Sequence, residues 1–173
     1  MAAVSDHFLV SSSALTGLRR KNLDEHLQRF VLIFSLEQQT LMTDTLLLID
    51  DNAVQAATRQ TILKRAGYFV IAALNPERAL AQFQSGEFPV EVQLVITDHI
   101  MPGMSGADFV RELRKKFPKL PVLVISGMEE AEAEYEGMNV LFRLKPLLPD
   151  NLLASVHSLI QARRVDATPR PVR

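Results

Sequence analysis

The chain has no cysteine, which excludes disulfides, thiolate metal sites and cysteine nucleophiles. It also has almost no net charge. Lys and Arg number 19 against 20 Asp and Glu, a formal charge of -1, so no strong global field steers it to nucleic acid or an acidic membrane. Long apolar runs are missing too. The longest early one, Phe30 to Leu36 with Ser35 inside it, is far short of the ~20 residues a membrane span requires. Acids and bases precede that run and no small-residue cleavage pattern comes after it, so it does not read as a signal peptide. A cytoplasmic protein without membrane insertion is expected. Against these absences stands an apolar content of 47% in 173 residues, enough for one domain of ordinary size with a full core.

Residues 1–41 differ in pattern from the rest of the chain. Leu23, Leu27, Phe30, Val31 and Phe34 are spaced for one face of a helix. Three readings stand side by side: a loosely held extension, a helix that packs on a partner or makes a dimer, and an artefact of start-site choice with Met42 as the true start. From Thr45 the pattern is regular. "TLLLI" reads as a buried strand that stops at Asp50-Asp51-Asn52, and "AVQAATRQTILKRA" as a helix ending at Gly67, with a weak apolar stripe. "YFVIAAL" is a strand. Asn75-Pro76 caps a helix closed by Gly86. "VQLVIT" is the next strand. "GADFVRELRKKF" is an amphipathic helix with cations in its last turn, followed by strands "VLVIS" and "VLFRL" and a last helix from about Pro149. The segment "RRVDATPRPVR" reads as a polar tail, with 165–173 disordered and Arg163 and Arg164 as solvated ends.

Five strands alternate with helices, and the strands are continuous apolar runs. That argues for an α/β domain built on a parallel sheet with helices on both faces. Ligands of such sheets bind beyond the carboxyl ends of the strands. Those ends carry Asp50 and Asp51, Asp98, Ser126 and Lys145. Taken singly, each has a bland reading as a turn former, a cap or a solvated charge. Their joint placement in strand order does not. Two carboxylates ~4 Å apart repel by about 4 kcal/mol at an effective dielectric of about 20, which asks for a cation. Mg²⁺ takes oxygen ligands from one or two carboxylates plus a phosphate oxygen. A carboxylate beside such a site can carry a phosphoryl group as an acyl phosphate, with an ammonium and a hydroxyl neutralising and hydrogen-bonding it.

The segments "LLLIDDN", "VITDHIMPGMSG", "VLVISG" and "LFRLKP" together resemble the receiver (response-regulator) domains of two-component signalling, the chemotaxis-regulator-like kind, over about residues 44–164. The resemblance implies a flavodoxin-like, doubly wound five-stranded sheet of order 2-1-3-4-5. It implies that Asp98 accepts phosphate from a sensor histidine kinase or histidine phosphotransfer protein. Asp50, Asp51, Asp98 and the Ile100 carbonyl would hold Mg²⁺, and Ser126 and Lys145 the phosphoryl group. Ser126 and Phe142 would be the switch residues, Phe142 without a tyrosine hydroxyl, and the Lys145-Pro146 bond would be cis. A stand-alone phosphoprotein is expected, a self-catalysed phosphoacceptor rather than a conventional enzyme, signalling by changed protein contacts and not binding DNA directly. The alternatives are a phosphorylation-independent pseudo-receiver acting as an interaction module and a metal-dependent phosphatase. The stretch from Ser126 to Lys145 is shorter than usual in the family, so the helix around 129–136 is expected to be short, distorted or absent. Ile100 and Met128 are apolar at positions that flank the attacking water's path in family members, so the resemblance implies slow loss of phosphate. Leu148 stands where a polar cap would precede Pro149, leaving Asp150 as the nearest group able to cover the first amides.

Overall fold

The computed structural model describes residues 43–88 and 90–167. The readings of residues 1–41 and of 168–173 lie outside them. Strands β1 (Thr45–Ile49), β2 (Phe69–Ala73), β3 (Leu94–Asp98), β4 (Val122–Ser126) and β5 (Leu141–Leu144) alternate with helices α1 (Ala53–Arg65), α2 (Pro76–Ser85), α3 (Gly106–Lys116) and α4 (Pro149–Ala167). All pairings are parallel, in the order β2-β1-β3-β4-β5. This is the expected flavodoxin-like sheet.

Alternate strand residues feed two apolar layers. Leu46, Leu48, Leu94, Ile96, Leu123 and Ile125 pack with Leu63 of α1 and with Leu152, Val156 and Ile160 of α4. Leu47, Ile49, Val95, Val122 and Val124 pack on the other face with α2 and α3, around Phe83 and Phe109. Both faces of β1, β3 and β4 are therefore covered, and every residue of these strands is buried. This is why they read as unbroken apolar runs. The edge strands β2 and β5 are only partly buried.

The helix ends follow their sequence signals. Asn52 Oδ1 accepts from the Val54 and Gln55 amides, both at 3.1 Å. Asn75 Oδ1 accepts from Arg78 at 2.7 Å ahead of Pro76, and Gly86 closes α2 in the left-handed conformation at φ 73°. Ser105 caps α3 through the Asp108 amide at 3.1 Å. At α4, the Leu148 carbonyl accepts from the Leu152 amide at 3.0 Å, so an apolar residue does occupy the cap. Asp150 lies in the first turn, where its charge suits the dipole. The Lys145-Pro146 bond is cis, as expected.

Between β4 and β5 the expected helix is reduced to one 3-10 segment, Glu130–Tyr135. Only Ala131 and Tyr135 of it are buried. Glutamates at 129, 130, 132, 134 and 136 repel one another across its surface, and positive φ at Gly137 and Asn139 ends it.

The C-terminal end needs two corrections. Residues 165–167 continue α4 rather than opening a disordered tail, and Arg163 and Arg164 are not simply solvated. Arg163 donates to the carbonyls of Val92 (3.0 Å) and Gln93 (2.8 Å) and pairs with Glu91 at 2.5 Å. Arg164 pairs with Asp44 at 2.8 Å. These contacts fasten the last turns of α4 to the start of the sheet, which sequence spacing across 70 residues or more could not reveal.

Candidate phosphoacceptor site

Strand order reverses between β1 and β3, and the carboxyl ends of those strands place Asp50 and Asp98 side by side. With Asp51 from the loop after β1, each offers a carboxylate oxygen, and the three oxygens lie within 4.8 Å of one another. Asp50 is fully buried and Asp98 is 5% exposed, whereas Asp51 faces solvent. Two further strands complete the cluster. Lys145, just past β5, brings its Nζ to 2.5 Å from Asp98 Oδ2. Ser126, the last residue of β4, is wholly buried. Its Oγ donates to the Met128 carbonyl at 3.1 Å and accepts from the Met128 amide at 3.0 Å.

The other Asp98 oxygen, Oδ1, accepts from the His99 amide at 2.7 Å. Both oxygens are thus oriented by fixed donors. Asp50 Oδ1 accepts from the Asn52 amide at 3.0 Å, and Oδ2 is ion-paired with Arg59, which also donates to Gln55 at 2.9 Å. Burial pushes the Asp50 carboxyl above the usual aspartate range. Arg59 and the Asn52 amide pull it down, the Asp98 charge pushes it up and Lys145 pulls it down.

The turn after β3 is built for close approach. Gly103 adopts φ +83°, a conformation that favours glycine. Gly106 opens α3 with its amide on the His99 carbonyl at 2.8 Å. A Cβ on Gly106 would overlap the Asp98 carbonyl oxygen and stand 2.8 Å from the Tyr135 hydroxyl and 2.9 Å from His99 Cα. A glycine is what lets α3 begin directly against the strand that carries Asp98.

The structure brings Asp50, Asp51, Asp98 and Lys145 together, with Ser126 at the end of the neighbouring strand β4. Ile100 is one residue further along the same turn from His99, with its side chain 59% exposed, and Met128 is 42% exposed. Phe142 is not at the carboxylates. It is buried in the layer of α2 and α3 beside Tyr135, with ring centroids 5.8 Å apart. Sequence reasoning missed Arg59, His99 and Tyr135. Arg59 left one trace, a polar residue on a helix whose apolar stripe was already too weak. His99 had only its adjacency to Asp98, and nothing in the sequence pairs it with Tyr135. An apolar cavity of about 570 Å³, lined by Phe83, Phe88, Phe117 and Leu120 among others, opens at the other end of the sheet and takes no part in this cluster.

A doubly wound five-stranded sheet with an acidic cluster at its switch point defines a class, the flavodoxin-like α/β domains. The family model for the response regulator receiver domain matches residues 46–157, and the chain belongs to that family, a component of two-component signalling. It is 32% identical over 124 residues to the hydrogenase transcriptional regulatory protein HoxA of Cupriavidus necator, covering 69% of this chain and 24% of HoxA. The chain thus spans about a quarter of that relative's length. Among solved structures, a response regulator receiver protein from Sinorhizobium medicae superposes with TM-score 0.63 at 28% identity, covering 71% of this chain and 98% of that one. The response regulator TrrA of Thermotoga maritima, solved in complex with Mg²⁺-BeF, gives TM-score 0.61 at 26% identity, covering 68% and 99%. Among the described residues, no helix is long and apolar enough to cross a membrane.

Proposed function

We propose that this chain is a cytoplasmic phosphoacceptor of a phosphorelay, in which Asp98 takes a phosphoryl group from a phosphohistidine of a sensor kinase or phosphotransfer protein and the modified domain signals by changed protein contacts. The observation that carries this reading is the convergence of three carboxylates, one ammonium and one buried hydroxyl on one sheet edge.

The donor set fits Mg²⁺: all oxygen, three carboxylates within 4.8 Å, one of them open to solvent. Asp50, Asp51 and Asp98 would hold the ion, with the Ile100 carbonyl as a further ligand. When bound, Mg²⁺ supplies charge neutralisation on the phosphoryl oxygens. The rest falls to the chain. An Asp98 carboxylate oxygen attacks phosphorus, the new O–P bond forms as the N–P bond breaks, and the donor imidazole leaves and takes up a proton. Lys145, already on Asp98 Oδ2 at 2.5 Å, shifts from the carboxylate to the incoming phosphoryl oxygens. Ser126 exchanges its Met128 partners for a phosphoryl oxygen. The domain acts once per phosphate and is changed by it, so it serves as a self-catalysed acceptor.

Intact mass after incubation with Mg²⁺ and acetyl phosphate tests this. Wild type gains one phosphate; without Mg²⁺, or with Asp98→Ala, it does not. No gain on wild type in the presence of Mg²⁺ would refute the reading.

A further inference from the structure

The 3-10 segment is tied to the acceptor site at both ends. At its start, Met128 exchanges two hydrogen bonds with the Ser126 hydroxyl. At its end, the Tyr135 hydroxyl lies 2.9 Å from Nδ1 of His99, the residue directly after Asp98. Both side chains of this second tie are buried, His99 at 6% and Tyr135 at 3% exposure.

His99 is locked to the acceptor in its own right. Its amide donates to Asp98 Oδ1 at 2.7 Å and to the Ile125 carbonyl at 3.0 Å, and its carbonyl accepts from Gly106 at 2.8 Å. Any change at Asp98 Oδ1 therefore reaches the His99 backbone without an intermediate. On the ring, Nε2 is 3.7 Å from Glu134 Oε1. Nδ1 and the phenol share a hydrogen bond whose donor follows from the imidazole tautomer. Burial raises the Tyr135 phenol far above its ordinary value, so the hydroxyl stays protonated and available to the bond. The Tyr135 ring in turn meets Phe142. Phe142 has no hydroxyl with which to report on the site, and the adjacent Tyr135 has one that does reach it.

We infer that the His99–Tyr135 hydrogen bond is the connection through which the state of Asp98 sets the position of residues 128–136. The inference rests on the phosphoacceptor reading of Asp98. The segment suits this role because little else holds it: only Ala131 and Tyr135 are buried, and its other side chains are exposed. Loss of either tie frees one end. Phosphorylation draws the Ser126 hydroxyl from Met128, and the loss of carboxylate charge at Asp98 weakens the bond from Oδ1 to the His99 amide, so it acts on both ties at once. A segment with one bonded and one released arrangement is the two-state element that a signalling contact requires.

The test uses the full chain, ¹⁵N-labelled, as wild type, Tyr135→Phe and His99→Phe, each with Mg²⁺ and acetyl phosphate and with intact mass measured in parallel. Tyr135→Phe keeps the ring and removes only the hydroxyl. The expected result is that all three proteins gain phosphate. In wild type the amides of residues 128–136 shift on phosphorylation. In both variants the shifts at residues 133–136 shrink about five-fold or more while those near Met128 persist. A purely structural role for the pair would lower stability and leave the phosphate-dependent shifts intact. Full-sized shifts in phosphorylated Tyr135→Phe, or a phosphorylated wild type whose segment does not move, would overturn the connection alone. Wild type that takes no phosphate would overturn the acceptor reading and the connection with it.

Discussion

Gly106→Ala is the substitution for which local propensity and tertiary packing give opposite signs. Gly106 is the first residue of α3 and does not adopt the left-handed conformation, so propensity alone favours alanine by up to about 1 kcal/mol. The new methyl, however, would overlap the Asp98 carbonyl oxygen and come within 2.9 Å of His99 Cα. Both are backbone atoms next to the buried centre of the sheet and cannot rotate aside. Only the third neighbour, the Tyr135 hydroxyl at 2.8 Å, has some freedom, and it is itself hydrogen-bonded. Overpacking at such a site costs about 1–3 kcal/mol, occasionally more, and immovable neighbours put this case at the upper end. The net expectation is a loss of about 2 kcal/mol, a factor of about 30 in the folding equilibrium. With a urea slope of about 2 kcal/mol per molar, the midpoint of equilibrium unfolding falls by about 1 M with the slope unchanged. Gly127→Ala is the control. A Cβ there meets nothing within 4 Å, so its stability should stay within about 0.5 kcal/mol of wild type. A Gly106→Ala midpoint equal to or above wild type would refute the packing argument.

Arg59→Gln removes the guanidinium from a fully buried carboxylate. It should cost about 2–3 kcal/mol at neutral pH without Mg²⁺, below the full penalty of a broken buried pair because Arg59 is partly exposed. Burial already holds the Asp50 carboxyl above its ordinary value and Arg59 opposes that shift, so the variant raises the folded-state pKa further. An acid whose folded pKa exceeds its unfolded one loses stability as pH rises from the unfolded value through the folded one. The deficit should therefore be small near about pH 4, full at neutral pH, and partly restored by Mg²⁺. Urea midpoints that show a pH-independent deficit would count against it. Ile100 and Met128 are exposed apolar residues two positions beyond Asp98 and Ser126. Ile100→Asn combined with Met128→Gln should shorten the lifetime of the Asp98 acyl phosphate several-fold by admitting water; an unchanged lifetime, followed by intact mass after removal of the donor, would contradict this.

Much of the architecture could be read from the chain because local chemistry and global fold agree. Asn75-Pro76 and Gly86 delimit α2 through capping and a left-handed φ, both local matters. β1, β3 and β4 announced themselves as unbroken apolar runs because helices cover them on both faces. The five residues at the strand ends could be assigned together since parallel strands deliver all their carboxyl ends to one edge.

The amino-acid order alone was therefore enough for the alternation of elements, the five-stranded parallel sheet and the set Asp50, Asp51, Asp98, Ser126 and Lys145. It took the folded chain to reveal that Arg59 neutralises Asp50, that α4 runs on to Ala167 with Arg163 and Arg164 fastened to the sheet, and that His99 is bonded to Tyr135. The difference lies in the range of the forces involved. Caps, turns and strand burial depend on neighbours a few residues away or on periodicity, whereas a buried polar partner is fixed by the packed core, which brings polar groups 36 or 70 residues apart within 3 Å.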